Sequence, residues 1–162
     1  MPVVLQDRQK RLKTDKRLIR RVTEELLAFL GLSDKTLNIL FTDDEGIKEF
    51  NRRFLKRDRP TNVISFSYLK QEDLLFTQNI MGDIIISLER AAKEAEGANI
   101  PFYQRLFELI IHGILHIIGY DHEESERERR RMRYMEKKLM NLLKSTSIYG
   151  QIPDSEKSKF KS

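Results

Sequence analysis

The chain has three histidines, and all of them fall in one short stretch, His112-Gly113-Ile114-Leu115-His116-Ile117-Ile118-Gly119-Tyr120-Asp121-His122. Histidine is the commonest metal ligand among side chains, and the spacing gives the clustering a geometric meaning. His112 and His116 are four residues apart, so on a helix they project from one face, a turn apart. Two imidazoles so placed can share one ion at bond lengths of roughly 2.0–2.1 Å. Gly119 follows three residues after His116, and glycine takes the left-handed conformation that ends a helix and turns the chain back. That turn returns His122 toward the same ion as a third ligand. Three histidines leave one position of a tetrahedral shell open, which marks catalytic rather than structural zinc. The stretch therefore predicts a catalytic centre with His112, His116 and His122 as ligands to one divalent ion. Zinc is expected because neutral imidazoles suit it, and nickel is chemically compatible.

The ligand spacing also looks like that of the metzincin peptidases, which carry a glutamate directly after the first histidine as general base. Here that position is Gly113, which offers no proton acceptor. Asp121 is the nearest carboxylate within the motif. It is a candidate catalytic residue, and the reading favoured over that is that it orients a histidine from behind.

These residues need a frame. Pro101 suits the first turn of a long apolar helix over residues 102–118, which Gly119 breaks. Upstream, residues 3–5 read as an edge strand. Asp15 caps a helix running to about Leu30, whose apolar residues recur at helical spacing from Leu18 to Leu27 before Gly31 stops it. Thr36–Thr42 reads as a buried strand, and Asp43 and Asp44 open a second helix through Ile47, Phe50 and Phe54. Pro60 prevents that helix from continuing. Residues 62–68 alternate like a strand, 70–76 read as loop, and 79–87 as another strand. Residues 88–96 form a short helix ended by Gly97, and 123–144 a final charged helix. The order predicts an α+β chain, a small mixed α/β layer fold of about four strands and five helices, with the metal site at the end of the long central helix. One domain is expected over residues 1–150, with a flexible tail over 151–162.

Composition fits this. Of the 162 residues, 40% are hydrophobic and 34% charged, as in soluble globular domains. No apolar run reaches the roughly 18 residues that span a membrane, and the start lacks the pattern of a secretory leader. Cysteine is absent, so disulfides and thiolate sites are excluded. These features favour the cytoplasm. The net charge of +5 is a mild pull toward anionic partners, nucleic acid first.

The histidine stretch, with Gly113, Gly119, Tyr120 and Asp121, resembles the YbeY family of bacterial rRNA-maturation endoribonucleases. Two further stretches resemble it, in the family's order: Asn51 to Phe66, with Asp58, Pro60-Thr61, Val63 and Ser65-Phe66, and Gly82-Asp83-Ile84. The resemblance implies a cytoplasmic metal-dependent hydrolase of single-stranded RNA that acts in ribosomal RNA processing and ribosome quality control, with ribosomal RNA and the small ribosomal subunit as partners. A histidine-bound metal is compatible with that chemistry: it lowers the pKa of its water to about 7 and polarises a phosphoryl oxygen. The family's phosphate-binding arginine comes four positions after its asparagine. Here Asn51-Arg52-Arg53-Phe54 is followed by Leu55, and the expected arginine is missing. Arg53, Lys56 and Arg57 are the neighbouring candidates for the RNA phosphate.

The alternatives are a metallopeptidase with a metzincin-like ligand frame, disfavoured by Gly113, and a non-catalytic ribosome-assembly module with a structural metal. The run from Glu123 to Arg131 is acidic first and basic later, which matches the helix dipole and pairing within the helix. Asp83, after Gly82, reads as a structural residue that caps a turn or bonds a neighbouring backbone amide.

Overall fold

Helices in this chain begin where a side chain accepts an otherwise unpaired amide. The computed structural model describes residues 2–55, 61–69, 79–120 and 125–153. Asp15 accepts from Leu18 N at 3.1 Å and starts α1 (Lys16–Phe29). Asp43 accepts from Gly46 N at 2.8 Å and starts α2 (Asp44–Phe54). Ser87 and Ser125 do the same, each at 3.1 Å, for α3 (Leu88–Ala98) and α5 (Glu126–Lys144). The longest apolar helix, α4 (Phe102–Ile117), starts instead behind Pro101 with no side-chain cap. Proline's fixed φ is preorganised for a helix start.

The described residues also hold four strands: β1 (Val3–Asp7), β2 (Thr36–Thr42), β3 (Val63–Ser67) and β4 (Ile80–Ser87). They form one sheet in the order β1-β2-β4-β3. β1 runs parallel to β2 and β2 to β4, while β3 is antiparallel to β4. Among the described residues the fold is α+β, with four strands and five α-helices, and β1 lies at a sheet edge as its sequence suggested.

Alternation along the strands divides the apolar residues between two faces. Leu37, Ile39 and Phe41 of β2 and Ile84 and Ile86 of β4 join Ile19, Leu26, Leu88, Phe107, Ile110 and Ile114 in the main buried core. The other face carries a smaller cluster, with Ile64 and Ile85 covered by Ile47 of α2. Against the main face α4 comes very close: a Cβ at Gly113 would stand 2.8 Å from Ile84 Cδ1.

Three helix boundaries differ from the sequence reading, and β1, β3 and β4 differ from it by one or two residues. α3 does not stop at Gly97; it runs to Ala98, and Asn99 takes the left-handed conformation (φ 56) that ends it. Asparagine tolerates that conformation. α4 ends at Ile117, one residue early. α5 starts at Glu126, behind the Ser125 cap. Among the described residues Asp83 neither caps a turn nor bonds a backbone amide. It lies within β4 and accepts from Asn38 Nδ2 at 2.9 Å and from the Tyr68 hydroxyl. Partial burial first, then Asp83, pushes the Tyr68 phenol up to about 12. The expected loop at 70–76 lies outside the described residues. So does most of the expected tail, while Ile152 packs on the main core.

Candidate metal centre

The last two turns of α4 carry His112 and His116, both half-buried. Their Nε2 atoms are 3.1 Å apart, and their rings meet edge to face with centroids at 4.6 Å and planes at 73°. Two nitrogens bound to one tetrahedral ion at roughly 2.0–2.1 Å stand about 3.3 Å apart, so the pair fits a shared ion with little adjustment. The donor chemistry fits as well. His112 Nδ1 lies 2.8 Å from Glu136 Oε2 on α5. A carboxylate on the far nitrogen is the usual support for a metal-binding imidazole, fixing its orientation and leaving the other nitrogen for the ion.

The frame around the pair is closed on several sides. Gly119 has φ +109, and its N–H reaches His116 O at 3.1 Å while Tyr120 N reaches Leu115 O at 2.9 Å. This pair of bonds is the Schellman termination, which satisfies carbonyls at the helix end. Ser67 Oγ at the end of β3 donates to Ile117 O at 2.9 Å. The Arg131 guanidinium sits 4.8 Å from the Tyr120 ring centroid and ties the turn to α5. Gly82 makes the close approach possible: a Cβ there would stand 2.3 Å from Phe66 O and 2.8 Å from Ile117 Cδ1.

The structure thus brings His112 and His116 together. His122, the third expected ligand, and Asp121 lie outside the described residues. Among the described residues no group of three or more His, Cys, Asp or Glu side chains stands together. Of the expected phosphate contacts, Lys56 and Arg57 also lie outside them. Arg53 is exposed on α2, with its guanidinium carbon 5.8 Å from the Phe54 ring centroid. Leu55, at the family's arginine position, caps the end of α2 and is 42% exposed. The predicted pairing of the charged run on α5 is present, with Arg129 on Glu126 at 2.7 Å and Arg131 on Glu128 at 3.9 Å.

Sequence reasoning missed Glu136. It lies four residues after Met132 and three before Leu139, both buried. An acid on the inward stripe of an amphipathic helix was the available signal. Also missed was the cleft of about 810 Å³ between α4 and α5, which has His112 in its wall.

The matches with known proteins agree with one another. The family model described as endoribonuclease YbeY matches residues 4–144. The chain is similar to the endoribonuclease YbeY of Geobacter sulfurreducens, 45% identical over 91% of this chain and 99% of the relative. It is 44% identical to that of Syntrophus aciditrophicus, over 79% of this chain and 80% of the relative. The solution structure of TM1509 from Thermotoga maritima superposes with a TM-score of 0.67 at 26% identity, over 97% of this chain and 99% of that one.

Proposed function

The chain belongs to the endoribonuclease YbeY family, and on that premise we propose that it cleaves single-stranded RNA at a divalent ion held by His112, His116 and His122. The observation that carries the reading is the pair of Nε2 atoms 3.1 Å apart at a locked helix end, with Glu136 behind His112. Zinc is the first candidate ion, since the donors are imidazoles and no thiolate exists in the chain. When bound, such an ion supplies Lewis acidity at a phosphoryl oxygen and makes water acidic enough to serve as a nucleophile near neutral pH.

The protein's own side chains do the rest. Glu136 holds the His112 ring and directs its Nε2 outward. Asp121, one residue before His122, orients that histidine. Arg53, Lys56 and Arg57 supply charge to the phosphate in place of the arginine that Leu55 replaces. The natural substrate is ribosomal RNA, processed in the cytoplasm on or near the small ribosomal subunit. No helix among the described residues is long and apolar enough to cross a membrane.

A base directly after the first histidine, as in the metzincin peptidases, has no room at position 113. Position 113 is buried against Ile84, and even a Cβ there would stand 2.8 Å from Ile84 Cδ1. The test is metal-dependent cleavage of unpaired and duplex RNA, with casein as the peptidase control. Unpaired RNA should be cut best, because an A-form helix holds its phosphates in place. Chelator-sensitive cleavage of casein with RNA left intact would overturn the reading.

A further inference from the structure

The cleft between α4 and α5 begins at His112 and continues away from it. From α4 it is lined by Gln104, Arg105 and Glu108, and from α5 by Arg129, Arg133, Lys137, Asn141 and Lys144. The α5 residues follow one another at three- and four-residue spacing, so they form a single row along the helix. From Arg133 to Lys144 that row extends about 16 Å.

The charges along this row are not equivalent. Arg129 and Arg133 at the histidine end share Glu126, at 2.7 and 3.5 Å. Both carboxylates in the cleft wall are engaged as well, Glu136 on His112 at 2.8 Å and Glu108 on Arg105 at 3.0 Å. Lys137 and Lys144 are exposed and make no ion pair with any described residue. The open charge of the cleft is therefore positive and lies along α5, leading away from the histidines. The cleft floor is apolar, with Leu109, Met132 and Met140.

We propose that this cleft carries the RNA strand to the histidines, with Lys137 and Lys144 as its phosphate contacts beyond the cleavage site. This rests on the RNA-cleaving reading and assigns the track of the strand within it. A basic row beside an apolar floor suits a single strand, whose phosphates and base faces turn to opposite sides. A duplex would leave the floor unused.

The test is binding of a labelled single-stranded RNA across a salt series by the full-length parent, by Lys137→Ala/Lys144→Ala, and by Arg127→Ala/Lys138→Ala. The last pair removes the same charge from α5 outside the cleft. The cleft variant should bind about tenfold more weakly, and its salt slope should fall by about 1.4, from two fewer phosphate contacts at about 0.7 each. The control pair should bind like the parent. Equal weakening by both pairs, no weakening by either, or no RNA binding by the parent overturns the proposal. RNA that binds in the cleft, as judged by these differences, yet is never cut keeps the proposal and overturns the hydrolytic reading instead.

Discussion

The C-termini of α4 and α2 both carry residues that the sequence marks for chemistry, yet they are built in opposite ways. The end of α4 is held by the Gly119 turn, by Ser67 on Ile117 O, by Glu136 on His112 and by the sheet packed against Gly113. The end of α2 projects Arg53 and Leu55 into solvent. The difference fits the roles proposed for each end. Metal ligands must converge on a point to within about 0.5 Å, which a rigid, packed element provides. A phosphate contact needs only a charge within reach, because the interaction falls off slowly with distance.

Changes at the packed end should cost most. His116→Ala should lower RNA cleavage about a thousandfold, equivalent to about 4 kcal/mol of transition-state stabilisation, and remove the metal from purified protein. Its melting temperature should differ little from that of the metal-stripped parent, since the ring is half-buried at a helix end. Retained cleavage would show that the two ends do not differ in role.

Next in size is Gly82→Ala, which places a Cβ 2.3 Å from a backbone carbonyl and 2.8 Å from Ile117. It should cost about 3 kcal/mol in urea denaturation, at the upper end of overpacking effects, and lower metal content with it. Gly97→Ala is the contrast: its Cβ meets nothing within 4 Å, and it should stabilise by about 0.5–1 kcal/mol because alanine restricts the unfolded chain.

Glu136→Ala should weaken metal affinity by about 10–100-fold, read by competition with a chelator, while Glu136→Gln, which still offers an acceptor to Nδ1, should recover most of it. Equal loss in both variants would mean that the carboxylate charge matters rather than the orientation. The smallest effect belongs to the open end. Leu55→Arg should raise cleavage by up to about tenfold, or roughly 1.4 kcal/mol, with an unchanged melt because Leu55 is already exposed. An active variant that cuts no faster would place the phosphate grip elsewhere.

Local chemistry made much of this readable in advance. The apolar period of α4, Pro101 before it and Gly119 after it mark both ends of the site helix to within a residue. His112 and His116 needed only helical periodicity to be placed on one face. What depended on distant residues was not readable. Glu136 lies 24 positions from His112, and no local pattern links them. Asp83 meets Asn38 only because the sheet order places β4 beside β2. The end of α3 was misplaced because two residues compete for it, and Asn99 rather than Gly97 adopts the left-handed turn. Gly113 looked like a missing base; only the contact with Ile84 shows that it is a packing requirement.

β4 joins β2 to β3 in the sheet, as β2 joins β1 to β4. Its partner Leu37 is matched to Gly82, a separation of 82 − 37 = 45 residues. Pairing at such separation is slow, because the intervening chain must lose its freedom before any contact forms. During synthesis, a nascent chain that has not yet delivered Ser87 leaves Leu37, Ile39 and Phe41 without the strand that later borders them. Such an unpaired strand edge is a general route to aggregation while a chain is being made.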